Sequence, residues 1–70
     1  MKLNKAALIR HMNENFNGNY AWLAWELKID VAYVYAVLVN DKKCGELFLK
    51  SIIRWCDENN TDFREYIFLP

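Results

Sequence analysis

The chain contains few of the residues that favour turns or form disulfide bonds. Its 70 residues include two glycines, one proline and two cysteines. Gly18 and Gly45 are far apart, so the chain has no glycine-rich loop to cradle a phosphate. Cys44 and Cys56 form no Cys-x-x-Cys pair, which excludes the usual metal and redox motifs and is typical of reduced thiols.

Side chains that support catalysis or metal binding are also scarce. His11 is the only histidine and Ser51 the only serine. A zinc site or a hydrolytic site needs several such residues at characteristic spacings, and none of those spacings occurs. We therefore predict that the protein is not an enzyme and holds no metal and no cofactor. We expect His11 to lie on the surface of the first helix.

The chain has neither a net charge nor a long apolar run. Nine basic residues balance nine acidic ones. Residues 1–45 contain six Lys or Arg against four Asp or Glu, while residues 46–70 contain three against five, so the two parts carry +2 and −2. No run of about 18 apolar residues could span a bilayer, and polar residues interrupt any signal-peptide core near the N-terminus. These features predict a cytoplasmic protein with no membrane partner.

A regular apolar pattern dominates what is present. Apolar residues make up 54% of the sequence, and they recur at spacings of three and four that indicate amphipathic helices. The predicted helices cover residues 4–15, 20–27, 31–38, 46–58 and 62–68. The predicted inward side chains are Ala7, Leu8, Met12, Phe16, Leu23, Ala24, Leu27, Val34, Val37, Leu38, Leu47, Phe48, Ile52 and Trp55. We therefore predict an all-α fold in which one domain, residues 1–70, forms a compact five-helix bundle.

Residues 31–39 have an alternative interpretation. Their sequence, VAYVYAVLV, is rich in β-branched and aromatic residues, and by propensity alone it favours a strand. A lone strand needs a partner to be stable, however, and the other segments are predicted to be helices. Helix is therefore the preferred interpretation.

Residues 19–43 form the most informative stretch of the chain. Asn19 can cap the helix at 20–27 and Asp30 can cap the helix at 31–38, because each side chain can accept a hydrogen bond from a free backbone N–H. Only about three residues separate the two helices, so they are expected to cross at a steep angle.

This stretch resembles the helix-turn-helix of phage repressor and Cro-type regulators. The shared pattern is a cap, a Leu-Ala pair, a closing Leu, an aliphatic turn residue, a second cap and two aliphatic residues. These positions are held by Asn19, Leu23, Ala24, Leu27, Ile29, Asp30, Val34 and Val37. Two positions depart from the pattern, because Lys28 stands where the family favours Gly and Tyr20 stands where Gln is common. The resemblance implies a lambda-repressor-like DNA-binding fold and a homodimeric transcriptional regulator whose second motif helix lies in the DNA major groove.

Four basic residues are candidate phosphate contacts under this resemblance. Lys28 lies in the turn, Lys42 and Lys43 follow the second motif helix, and Arg10 lies on the first helix of the chain. Their positive charges can neutralise phosphates of duplex DNA.

The second motif helix supplies candidate base contacts that are mostly apolar. Tyr33 and Tyr35 can hydrogen-bond phosphates or base edges, and Ala32 and Ala36 can touch a thymine methyl group. Residues 31–37 contain no Arg, Gln or Asn for a bidentate base contact. We therefore expect specificity to come from DNA shape or from the spacing of two half-sites.

Two tryptophans suggest a second use of the same fold. Trp22 and Trp25 lie on one side of the first motif helix, at positions that are usually charged in the family. If exposed, they form an apolar patch of the kind that marks a partner surface. Tyr66 and Phe68 are further candidates for a partner or dimer surface. The alternative function is a protein-interaction module that binds and modulates a partner repressor, and the alternative for the tryptophans is that residues 63–69 cover them.

Overall fold

The computed structural model describes all 70 residues, and most of them are helical. The helices are α1 (Lys5–Asn15), α2 (Tyr20–Leu27), α3 (Val31–Leu38) and α4 (Glu46–Glu58). Two short strands, β1 (Lys2–Leu3) and β2 (Ile67–Phe68), pair antiparallel, and a 3-10 turn at Phe63–Glu65 precedes β2. No helix combines the length and the apolar character needed to cross a bilayer. The predicted helical character is confirmed, and the strand alternative for residues 31–39 is wrong.

Side-chain caps explain where three of the helices begin. The side chain of Asn4 accepts a hydrogen bond from the Ala7 N–H at the start of α1. Asn19 Oδ1 accepts from the Trp22 N–H at 3.1 Å, and Asp30 Oδ1 accepts from the Ala32 N–H at 2.8 Å. Such a cap contributes about 1 kcal/mol to helix stability. The predicted caps at Asn19 and Asp30 are therefore confirmed.

The turn between α2 and α3 depends on one left-handed residue. Lys28 adopts φ 58° and ψ 41° and ends α2, and the Ile29 N–H then donates to the Ala24 carbonyl at 3.1 Å. This is the conformation in which glycine is favoured, and a residue with a Cβ adopts it at a cost of about 1 kcal/mol. The chain therefore turns within the three residues from Lys28 to Asp30 before α3 begins.

The core lies where the apolar faces of the helices meet, and most of its residues were predicted. The side chains with no more than 1% exposure are Leu8, Met12, Leu23, Leu27, Val34, Val37, Phe48, Ile52, Cys56 and Ile67. The prediction that Leu47 faces the core is wrong, because Leu47 is 68% exposed, whereas Leu49 is buried. On α4 the buried stripe is centred on Phe48 and Ile52, and Leu47 lies about 100° around the helix from Phe48. Its side of the helix also carries the exposed Lys50.

The predicted fifth helix at residues 62–68 is wrong. Only Phe63–Glu65 is helical, and the chain then pairs with the N-terminal strand, Lys2 opposite Phe68 and Leu3 opposite Ile67. The Asn4 N–H extends this pairing by donating to the Tyr66 carbonyl at 2.8 Å. A helix this short depends on tertiary packing for its stability, and here Ile67 is buried through strand pairing instead.

Candidate nucleic-acid interface

The solvent side of α3 is apolar. Helix α3 buries Val34, Val37 and Leu38 against the core. Its exposed side carries Val31 and Tyr35 at 43% and 45% exposure. These are joined there by Ala32, which is exposed, and Ala36, which is half-buried, with Val39 at 43% exposure just beyond the helix.

Two tyrosines that the sequence presents as equivalent have different roles. The Tyr33 side chain is half-buried, and its ring meets the Phe48 ring edge-on with centroids 5.5 Å apart. Its hydroxyl accepts a hydrogen bond from the Gly45 N–H at 3.2 Å. The Tyr33 hydroxyl therefore links the start of α4 to α3, and a DNA contact at Tyr33, which stays a prediction, would have to use the remaining O–H donor.

Tyr35 remains available for contact. Its ring packs edge-on against Tyr20, with centroids 5.2 Å apart, and 45% of the residue is exposed. The hydrogen-bonded tyrosine hydroxyls are those of Tyr33 and Tyr66, which leaves the Tyr35 hydroxyl free. Tyr35 is thus an exposed tyrosine of α3 whose hydroxyl makes no hydrogen bond within the chain.

Three exposed lysines flank α3. Lys28 precedes the helix, and Lys42 and Lys43 follow it, so they are separated along the chain by a helix about 12 Å long. None of the three takes part in an ion pair. Lys42 Nζ lies 5.3 Å from the centre of the Tyr33 ring, a distance at which the ring attracts the ammonium group.

Asp41, the acidic residue beside Lys42, forms an ion pair with a lysine of α1. Asp41 Oδ1 accepts a hydrogen bond from Lys5 Nζ at 2.9 Å, which ties the loop after α3 to the start of α1. This hydrogen bond and the charge of Lys5 lower the pKa of the Asp41 carboxyl. The positive charges of Lys42 and Lys43 are therefore not cancelled by an unpaired carboxylate beside them.

Arg10 lies apart from Lys28, Lys42 and Lys43. Its Nε lies 4.0 Å from Glu14 Oε1, and the two residues share a cleft with Glu65 and Tyr66. Lys5, five residues earlier on α1, faces the loop after α3, and five residues correspond to about 140° around a helix. Arg10 thus lies on an acid-lined side of the molecule, away from the predicted phosphate contacts.

The two tryptophans of α2 are exposed and uncovered. Trp22 is 43% exposed and stacks on Phe16 with ring centroids 4.9 Å apart, while Trp25 is 75% exposed. The C-terminal segment, which was the predicted alternative cover, pairs instead with β1. Trp25 borders a groove that also contains Glu26 and Glu58.

Of the two C-terminal candidates for a partner surface, only Phe68 is accessible. Phe68 is 55% exposed, and Leu69 beside it is 50% exposed. Tyr66 is corrected, because it is 7% exposed and its hydroxyl lies 3.2 Å from His11 Nδ1. His11 is corrected as well, since it is half-buried and its ring meets the Trp55 ring edge-on at 5.0 Å.

The chemistry of the remaining polar groups is modest. Burial raises the pKa of the Cys56 thiol to about 11, with a smaller effect from the nearby carboxylate of Glu65. Burial also raises the pKa of the Cys44 thiol. Both thiols are therefore protonated at neutral pH, a form that is a poor nucleophile. No three His, Cys, Asp or Glu side chains are grouped so that they could hold a metal ion.

The exposed side of α3 includes Val31, an outward residue expected from the sequence, and Val39, which was not predicted to lie there. Both are apolar, and with Tyr35 between them they recur at intervals of four residues. That spacing places them along one side of a helix.

Comparisons with protein-family models, with curated proteins and with solved structures give no match for this chain.

Proposed function

We propose that this protein is a DNA-binding transcriptional regulator of the phage repressor/Cro type, acting in the cytoplasm on duplex DNA. Helix α3 enters the major groove, and Lys28, Lys42 and Lys43 contact phosphates on either side of it. The observation that carries the proposal is the position of α3. A turn with a left-handed residue and a side-chain cap separates α3 from α2, and the outer side of α3 is exposed. Lysines that form no ion pair precede and follow the helix.

The charges around α3 support this orientation despite the zero net charge. A phosphate contact releases a condensed counterion, and the logarithm of the binding constant falls with the logarithm of salt by about 0.9 per contact. Three lysines therefore give an expected slope of about −3 per protomer. This electrostatic contribution to the binding free energy does not depend on base sequence. It can therefore act even though α3 carries few polar groups.

A homodimer is part of the proposal. Phe68 and Leu69 are exposed beside the small sheet, where a second copy can bury them. Two copies in a twofold dimer bind half-sites about 34 Å apart, one turn of DNA. A protomer measuring 26 × 24 × 19 Å is compatible with that spacing.

A fluorescence anisotropy titration tests the proposal. A labelled random-sequence duplex is titrated at several salt concentrations with the wild type and with Lys42→Gln plus Lys43→Gln. The double variant is expected to bind more weakly, with its salt slope reduced from about −3 to about −1. The matched control is Arg10→Gln plus Arg64→Gln, which removes the same charge from α1 and the C-terminal 3-10 turn and should bind more nearly like the wild type. Absence of binding at about 100 μM protein, the weak end of ordinary non-specific affinity, would refute the proposal.

The second candidate function is a protein-interaction module that modulates a partner repressor. The exposure of Trp22 and Trp25 favours it, since together they offer about 300 Å² if a whole tryptophan provides about 250 Å². An area this large can form the centre of a protein contact. If this is the function, Trp25→Ala will abolish complex formation with the partner and leave the affinity for DNA unchanged.

A further inference from the structure

The exposed side of α3 has a chemical character of its own, and we call it the methyl face. Its members lie along one side of the helix or just past its end. They are Val31, Ala32, Tyr35, Ala36 and Val39. Three of them, Val31, Tyr35 and Val39, are each between 43% and 45% exposed. An apolar stripe of this kind is unusual on a helix that has no protein layer over it.

The methyl face has little capacity for hydrogen bonds. Tyr35 is its only member with a polar side-chain group, and Tyr33, whose hydroxyl accepts from the Gly45 N–H, is not a member. In the major groove a G·C pair presents N7, O6 and N4–H₂ groups and no methyl group. An apolar surface that covers these groups takes water from them without replacing its hydrogen bonds, which is unfavourable.

An A·T pair differs from a G·C pair because it carries a methyl group in the major groove. Besides its polar groups it presents the thymine 5-methyl group, which apolar side chains can contact. Valine and alanine methyl groups packed on thymine methyl groups remove apolar area from water on both sides of the contact. The composition of the methyl face therefore complements thymine-rich sequence and opposes G·C-rich sequence.

We infer that α3 selects its DNA by packing the methyl face against thymine 5-methyl groups, so that the preferred sites are thymine-rich where α3 enters the groove. This inference rests on the proposed DNA binding and deepens it by naming the chemical group that is read. It assigns specificity chiefly to the two exposed valines of the methyl face, Val31 and Val39, without a bidentate hydrogen bond.

Base analogues test the inference on unmodified protein. One pair of duplexes has an identical A·T-rich sequence, with thymine in the first and uracil in the second, so that base pairing is retained and only the methyl groups are lost. A second pair compares cytosine with 5-methylcytosine in a G·C-rich duplex, which adds methyl groups to the same groove. We expect about fourfold weaker binding for each contacted methyl group that is removed, corresponding to about 0.8 kcal/mol. Methylation of cytosine should strengthen binding.

Protein variants locate the effect on α3. In Val31→Ser plus Val39→Ser the ratio of thymine to uracil affinity should fall towards one, while the lysine-dependent salt slope is retained. The control Leu47→Ser removes an apolar residue that is 68% exposed on α4, and it should leave the ratio unchanged. Circular dichroism melts establish that each variant is folded at the temperature of the titration.

The outcomes separate the two claims. Equal affinity for thymine and uracil duplexes, with no gain from 5-methylcytosine, would overturn the inference and leave DNA binding standing. A thymine preference that is undiminished in Val31→Ser plus Val39→Ser would also overturn it. No binding to any of the four duplexes would overturn the proposed function and the inference together.

Discussion

Replacing Tyr33 by phenylalanine tests whether its hydroxyl stabilises the fold or serves the interface. The hydroxyl accepts a hydrogen bond from the Gly45 N–H at 3.2 Å, across a loop that joins α3 to α4. Tyr33→Phe keeps the ring contact with Phe48 and leaves that partly buried N–H without its acceptor. An unpaired group of this kind costs about 1 kcal/mol when it is only partly buried. For a domain of this size the melting temperature should fall by about 4 to 8 °C.

The matched control is Tyr35→Phe, which removes an identical hydroxyl from the same helix. Because the Tyr35 hydroxyl makes no hydrogen bond within the chain, its free energy of unfolding should change by less than about 0.5 kcal/mol. Thermal and urea melts followed by circular dichroism measure both variants. If Tyr35→Phe is the more destabilised of the two, or if Tyr33→Phe melts like the wild type, the assignment of roles to these tyrosines is refuted.

Three further predictions concern the turn, the C-terminal surface and the thiols. Lys28→Gly should raise the free energy of unfolding by up to about 1 kcal/mol, since glycine adopts a left-handed conformation without strain, and a loss of 2 kcal/mol or more in a thermal melt would contradict this. Phe68→Ser plus Leu69→Ser should shift any monomer–dimer equilibrium towards monomer in sedimentation equilibrium, and an unchanged equilibrium would exclude this surface from the dimer. The free energy of unfolding should fall as pH rises from 9 to about 11, because the pKa of Cys56 is raised from 9.0 to about 11 in the folded chain, so the thiol ionises more readily when unfolded. Cys56→Ala should flatten this part of the pH profile, and an unchanged slope in urea melts across that range would argue against it.

The features predicted correctly from sequence depend on short-range signals. The bounds of α2, α3 and α4 follow from apolar spacing and from caps such as Asn19 and Asp30, which act within three residues of the atoms they bind. The left-handed Lys28 was likewise suggested by a local comparison with the family pattern. These local signals do not depend on how distant parts of the chain pack.

The features that were missed depend on contacts between distant parts of the chain. The strand at residues 67–68 forms because Leu3, near the opposite end of the sequence, is available to pair with Ile67. Tyr33 and Tyr35 cannot be distinguished until the position of Gly45 is known. His11 is half-buried because Trp55 and Tyr66 converge on it from α4 and the C-terminal segment.

Nuclear magnetic resonance can show whether α3 and its flanking lysines form the surface that binds DNA. A ¹⁵N-labelled sample is titrated with a thymine-rich duplex at low salt, and backbone and tryptophan indole signals are followed. We predict that the largest shift changes fall on residues 28–43, with the indole signals of Trp22 and Trp25 little affected. Changes centred on those two indoles, or no changes at all, would contradict the account.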